Sequence, residues 1–344
     1  MSMKKVLIAI SGGVDSAVAA ALLKHQGYAC TAIHMQLHPS CSPTAATDAK
    51  QSADLLNIPF QTLDFRQDFQ KIIDYFIQEY NAGRTPNPCI RCNTQLKFGK
   101  LAQYAHSINA DYLATGHYAR IENVGGESQL FRAVDLTKDQ SYALFAIPRH
   151  ELSRILLPLG SLKKEEIRTI AKSLNLPIFN KPDSQDICFI PNNDYTTLLR
   201  TTPGQFIDTT GKPLGTHPGH QHFTIGQRKG LRIALGHPTY VTNIDPKTNQ
   251  VTLGQKQNLL HNQLIAHEVN WLLEKIPTTP LRVRAKVRYN SPPTPATATI
   301  TAPDELTVTF DASISAITPG QAVVCYHPTT DQLLTGAWID NVIT

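Results

Sequence analysis

What is scarce in this chain narrows it first. No apolar run approaches the ~20 residues that a membrane helix needs, which sets a helical membrane protein aside and predicts no membrane partner. Six cysteines in 344 residues, Cys30, Cys41, Cys89, Cys92, Cys188 and Cys325, are too few and too scattered for a secreted disulfide framework. The start Met1-Ser2-Met3-Lys4-Lys5 leads into a strand instead of a signal sequence, so the expectation is a cytoplasmic protein. Charge of either sign is modest: a formal +5 does not by itself announce nucleic acid, although its sign suits a polyanionic substrate. No internal repeat of fixed period is present, and the length allows two or three domains of ~100–200 residues.

What is present begins at Ser11-Gly12-Gly13-Val14-Asp15-Ser16, between the apolar run Val6-Leu7-Ile8-Ala9-Ile10 and the helix former Ala17-Val18-Ala19-Ala20-Ala21-Leu22-Leu23. Strand, glycine turn and helix follow one another. Two glycines let backbone approach an anion, while helix-start amides and the hydroxyls of Ser11 and Ser16 supply donors to one concavity. The spacing is neither G-x-x-x-x-G-K-[ST] nor G-x-G-x-x-G. It resembles the S-G-G-x-D-S loop of the ATP pyrophosphatases, which cut ATP between the α and β phosphates. An ordinary strand-to-helix turn capped by Asp15 or Ser11 needs one polar residue, whereas this loop uses six small or polar ones.

The first ~190 residues alternate β-branched runs at 6–10, 29–35, 60–65 and 111–115 with helical patterns at 44–56, 67–80, 94–107 and 162–175, predicting a doubly wound parallel sheet. Its ligand edge would gather the loop at 11–16, Met35 and Gly116-His117. Past about Tyr195 the texture turns to Pro, Gly, Thr and short alternating runs. Strands expected at 281–287, 297–301, 306–310 and 321–326 predict a small β barrel. The expected domains are 1–197 (catalytic, α/β), 198–268 (small and connecting) and 269–344 (C-terminal barrel).

Cys89 and Cys92 stand in Thr85-Pro86-Asn87-Pro88-Cys89-Ile90-Arg91-Cys92-Asn93, where two prolines precede a helix expected to start near Asn93. That places Cys92 at a helix N-terminus beside Arg91, an environment that favours thiolate. Half a zinc site, a thioredoxin-like dithiol and plain buried cysteines remain open from the pair alone. Cys188 follows a polar stretch in Lys181-Pro182-Asp183-Ser184-Gln185-Asp186-Ile187-Cys188-Phe189-Ile190, where chain passes from a loop into a core.

These segments, the loop at 11–16, Thr115-Gly116-His117-Tyr118, Lys138-Asp139-Gln140-Ser141-Tyr142 and Thr224-Ile225-Gly226-Gln227-Arg228-Lys229-Gly230 together resemble the bacterial and mitochondrial tRNA-uridine 2-sulfurtransferases over essentially the whole chain. The resemblance implies an ATP- and Mg²⁺-dependent enzyme that adenylates the 2-oxygen of the wobble uridine of tRNA and replaces it with sulfur, with no permanently bound metal or organic cofactor. It implies that Cys188 carries a persulfide received from a sulfur-relay protein or cysteine desulfurase. Cys92 is the implied nucleophile, and a Cys92–Cys188 disulfide, reduced before the next turnover, is the implied end state. ATP would be held by Ala9, Ile10, Ser11, Gly12, Gly13, Val14, Asp15 and Ser16, by Met35 and by Gly116. Asn87, Pro88 and Cys89 would face the target base; some relatives carry an acidic residue, assigned proton transfer, where this chain has Cys89.

For the RNA, Leu281-Arg282-Val283-Arg284-Ala285-Lys286-Val287-Arg288 alternates without a break, putting four basic side chains on one strand face. Four like charges at two-residue spacing repel unless an anion lies across them, so a phosphate track is expected there. The resemblance implies tRNA contacts at Arg288 and Tyr289. Lys138, Asp139 and Gln140 form a second expected contact and the loop at 226–230 a third. His217, His220, His222 and His237, with no cysteine nearby, are expected to be loop residues and not a metal site.

Overall fold

Apolar runs bounded by turn residues assemble into a parallel sheet, as their composition predicts. In this computed structural model, which describes residues 3–38, 44–182, 187–190 and 194–343, the strands are β1 (Lys5–Ala9), β2 (Ala29–Gln36), β3 (Phe60–Asp64), β4 (Tyr112–Ala114) and β7 (Ile155–Leu156). Their order is β3-β2-β1-β4-β7, all parallel. β1 is central, and Val6, Ile8 and Ile10 are no more than 1% exposed. Burial of each such side chain contributes about 1.5–3 kcal/mol.

The crossovers are α1 (Val14–His25), which starts three residues before the expected helical run at 17–23, and α2 (Ala45–Leu55) and α3 (Arg66–Asn81), each within one residue of the expected bounds. The third helical pattern differs from expectation. Helix begins at Pro88 and not near Asn93, running as α4 (Pro88–Cys92), a π-helical stretch over Asn93–Lys100 and α5 (Leu101–Ser107). Pro88 has no N–H to lose and its fixed φ suits a first helical position. In the wide π turn a Cβ on Gly99 would stand 2.7 Å from the Thr94 carbonyl, which explains glycine there. A hairpin of β5 (Ala119–Val124) and β6 (Glu127–Arg132), which hydrophobic period did not predict, separates β4 from β7. Then α6 (Lys164–Ser173) shares a core cluster with α1, Ile167 and Ala171 joining Val14, Ala17 and Val18.

The chain divides into two units: Met1–Ile72, Cys89–Asn193 and Asp331–Leu334 form the first, and Ile73–Pro88, Asp194–Thr330 and Thr335–Thr344 the second. The second is β-rich. One sheet has the order β10-β11-β8-β9, from β8 (Gly204–Asp208), β9 (Pro213–His217), β10 (Tyr240–Asp245) and β11 (Gln250–Gly254). Its core is Phe206, Phe223, Leu231, Val241, Val251 and Leu253. Six further strands close a barrel in the order β12-β15-β14-β13-β16-β17: β12 (Leu260–Trp271), β13 (Leu281–Lys286), β14 (Thr294–Ala302), β15 (Glu305–Ser315), β16 (Ala322–Tyr326) and β17 (Leu333–Ile343). β12 crosses the expected boundary at 268/269. It and β17 escaped sequence reading because His, Asn, Asp and Gly interrupt their alternation; pairing with each other at barrel closure stabilises them.

Among the described residues no helix is long and apolar enough to cross a membrane. Cys41 and residues 183–186, part of the Cys188 motif, lie outside the described residues.

Candidate active site

The sheet order reverses at β1, whose neighbours are β2 on one side and β4 on the other, so the loops leaving β1 and β4 flank a crevice at their carboxyl ends. The first loop is closed by its own serines. Ser16 Oγ donates to the Gly13 carbonyl (3.1 Å), accepts from the Ser11 amide (3.1 Å) and lies 3.2 Å from Ser11 Oγ. Gly12 has φ +75°, and a Cβ there would collide with the Ala45 backbone. From β4 comes Gly116, where a Cβ would stand 2.8 Å from the Ser16 amide nitrogen and 2.9 Å from the Asp15 carbonyl carbon. Glycine at 116 therefore lets two backbones meet at the loop. Gly13 is unlike these two, since its nearest prospective neighbour, Ser11 Oγ, is 3.5 Å away. Met35, half-buried, lies at the carboxyl end of β2. Ala9, Ile10, Val14 and Asp15 complete the strand-to-helix passage, and a small-residue cradle at the first turn of a 12-residue helix fits a phosphate chain.

Two lysines that sequence reading did not single out converge on this loop. Lys164 Nζ lies 2.7 and 2.9 Å from the two carboxylate oxygens of Asp15, and Tyr118 Oη donates to Asp15 Oδ1 at 2.7 Å. Lys181 Nζ donates to the Gly12 carbonyl (3.0 Å) and to Asp48 (2.6 Å); this ammonium holds the Asp48 carboxyl below its usual range. The signal for Lys164 was legible in α6: Lys164, Ile167 and Ala171 share the buried face, so a lysine occupies a core-facing helical position.

The thiols are placed differently from expectation. With helix starting at Pro88, Cys89 sits in the first turn and Cys92 at the α-to-π junction, one turn further in, where the terminal dipole has faded. Cys92 is buried, whereas Cys89 and Cys188 are exposed. Although Cys89 reaches solvent, the protein crowded around its sulfur raises the thiol pKa, with Lys97 pulling the other way. Lys97 Nζ donates to Asn93 Oδ1 (2.9 Å) and stands 3.4 Å from His117 Nε2. His117, buried and bonded through Nδ1 to Thr115 Oγ1 (2.7 Å), has its pKa driven well below 6.5 by desolvation and then by Lys97. Its neutral ring therefore accepts from Lys97.

In the second unit the Thr85–Pro86 segment leading to Asn87 and Pro88 is clamped. Gln321 Nε2 donates to the Thr85 and Pro86 carbonyls (3.0 and 3.1 Å), and the Thr85 amide donates to the Pro319 carbonyl (2.9 Å). Arg288 Nη2 donates to the Ile225 carbonyl (2.9 Å) and Thr318 Oγ1 (2.7 Å), bringing the expected contacts at Arg288 and at 226–230 together. Tyr289 is 40% exposed, its ring 5.5 Å from the Lys286 ammonium. In the first unit, Lys138 and Gln140 are half-buried, Gln140 Oε1 accepts the Tyr118 amide (2.9 Å), and Asp139 is buried. The Asp139 carboxylate binds Arg132 (2.9 Å) and the Ala133 and Ser141 amides (3.1 Å each), ordering the loop from inside.

Two expectations are corrected. A phosphate track along β13 requires basic side chains that the fold leaves unpartnered. Instead Arg282 forms a two-pronged pair with Asp311, Arg284 donates to the Thr330 carbonyl, and Lys286 is buried. Nor are the histidines all loop residues: His217 ends β9, buried against Phe206 and Phe223, and His220 bridges Asn249 and the Asn81 carbonyl.

Comparison with known proteins covers nearly the whole chain. The model described as the tRNA methyl transferase HUP domain matches residues 4–192, its PRC-barrel domain 196–255, and the aminomethyltransferase beta-barrel domain 261–339. The tRNA-specific 2-thiouridylase MnmA of Carboxydothermus hydrogenoformans is 45% identical over 98% of this chain and 98% of that one. The enzyme of the same name from Clostridium perfringens is 44% identical over 98% and 99%. A solved 4-thiouridine synthetase–RNA complex with bound ATP is a distant structural neighbour (TM-score 0.40, 18% identity, 56% of this chain and 47% of that one).

Proposed function

The chain belongs to the tRNA-specific 2-thiouridylase family, and from that premise we propose that it is an ATP-dependent sulfurtransferase acting on the wobble uridine of cytoplasmic tRNA. The observation that carries the reading is the loop at 11–16, with Gly116 against Ser16, in a chain matched from end to end by those relatives. ATP is held with its phosphates on the loop amides and its adenine toward Met35. The uracil 2-oxygen attacks the α phosphorus, pyrophosphate leaves, and an amide-like oxygen becomes a leaving group. Mg²⁺, when bound, balances phosphate charge, and Asp15 is the loop carboxylate suited to hold it.

A persulfide on Cys188, delivered by a relay protein or cysteine desulfurase, supplies sulfur to the activated carbon and AMP departs. Cys92 attacks the sulfur of Cys188 to release it, leaving a Cys92–Cys188 disulfide for an external reductant. Asn87, Pro88 and Cys89 present the target base, while Lys138, Gln140, Arg288 and Tyr289 bear on the tRNA. With its pKa raised, exposed Cys89 is largely protonated near neutral pH, so a proton donor is a role its chemistry permits.

The test is nucleoside mass spectrometry of unmodified tRNA incubated with the protein, ATP, Mg²⁺ and sulfide under reducing conditions. ATP-dependent 2-thiouridine is the expected product. Unmodified uridine despite tRNA binding, with a persulfide donor also supplied, would overturn the reading.

A further inference from the structure

Lys164 is a lysine where helix packing calls for an apolar residue. Its side chain is 10% exposed, its backbone opens α6, and its ammonium reaches the nucleotide loop solely because α1 and α6 pack side by side. There it meets Asp15, the second residue of α1, with both carboxylate oxygens within 2.9 Å. Tyr118, two residues beyond Gly116, donates its hydroxyl to the same carboxylate and offers its ring to the ammonium at 5.6 Å. A bare carboxylate at the mouth of an anion cradle would repel phosphate. Lys164 cancels that charge, and a polyanion in the cradle would compete with a single carboxylate for the ammonium.

We propose that Lys164 is a pyrophosphate-binding residue: with the cradle filled, its ammonium moves from Asp15 to the phosphates that leave, while Tyr118 keeps its hold on Asp15. No bond is made or broken at Lys164; it supplies charge to the departing pyrophosphate. The inference rests on the proposed nucleotide site and names the group within it that distinguishes the leaving phosphates from AMP. Phosphate is favoured over ribose or base because Lys164 reaches Asp15 in the first turn of α1, where a helix start suits an anion, and not the β2 end that carries Met35.

Calorimetric titration of the full chain with inorganic pyrophosphate and, separately, with AMP, both with Mg²⁺, tests this without turnover. Lys164→Met is expected to weaken pyrophosphate binding at least tenfold, AMP binding by less than threefold, and Lys164→Arg to recover part of the loss. Equal weakening of both ligands, with a lowered melting temperature, would mean that Lys164 merely supports the loop. Unchanged pyrophosphate affinity in Lys164→Met would overturn the inference while leaving the nucleotide site standing. Failure of the wild-type chain to bind either ligand would overturn both. Should Lys164→Met not fold, the ratio of the two affinities in Lys164→Arg decides, since a supporting role leaves that ratio unchanged.

Discussion

The glycine loop and strand β13 both look like phosphate sites in the sequence, and the structure treats them differently. In the loop, the side chains of Ser11 and Ser16 are spent on closing the turn and Lys164 on balancing Asp15, so the shape of a small-residue cradle at a helix start is held from within. Along β13 Arg282 and Arg284 already have partners in their own unit, Asp311 and the Thr330 carbonyl. Periodic charge describes a strand face. A binding site requires donors that the fold leaves unsatisfied in a shape the ligand fits.

The largest effect that could break this contrast is at Asp15. Asp15→Ala should lower adenylation by at least ~10³-fold, read as ATP–pyrophosphate exchange in the presence of tRNA, with tRNA affinity nearly unchanged. Equal loss of both would make the residue a scaffold for the whole protein. Next, Cys188→Ser should cut thiolation from a persulfide donor to under ~1% while preserving adenylation; normal thiolation would remove Cys188 from the chemistry.

Gly116→Ala forces a methyl against the Ser16 amide, and backbone on both sides cannot yield cheaply. A loss of about 1–3 kcal/mol in stability and a fall in ATP affinity are expected, measured by denaturant melts and nucleotide titration. Wild-type behaviour would mean that the two loops separate readily.

The basic residues sharpen the comparison further. Replacing exposed Arg228 and Lys229 by alanine should reduce the slope of log K against log salt for tRNA by about 2. Arg282→Ala should leave that slope unchanged, because Asp311 already neutralises the guanidinium. The reverse ranking would restore β13 as the phosphate track.

The smallest effect is a pH slope. Buried neutral His117 has its folded pKa depressed below 6.5, so the unfolded chain takes up a proton first as pH falls. Stability present above about pH 6.5 should therefore drain away below it, approaching about 1.4 kcal/mol per pH unit, and His117→Asn should flatten that dependence between about pH 7.5 and 5.5. An unaltered slope in the variant would place the titrating group elsewhere.

Local pattern carried much of the architecture. Composition and period located four of the five parallel strands and four helical segments, because buried parallel strands and amphipathic helices write their environment into consecutive residues. Helix start at Pro88 is not legible locally, because proline suits an extended chain as readily as a first helical turn. The hairpin β5–β6 and the barrel-closing strands β12 and β17 were missed because distant pairing, not local propensity, stabilises them.

By itself the sequence determined the strand–glycine loop–helix at 6–23, the doubly wound class, the barrel and the family, since each is encoded in contiguous residues or in motifs of fixed order. Only the tertiary structure decided that Lys164 faces Asp15 across 149 positions and that Gly116 touches Ser16. It alone decided that Asp139 turns inward and that the charge of Arg282 on β13 is answered by Asp311. These depend on which helix packs on which and which strands pair, and a side chain's partner is set by that packing, not by its neighbours in the chain.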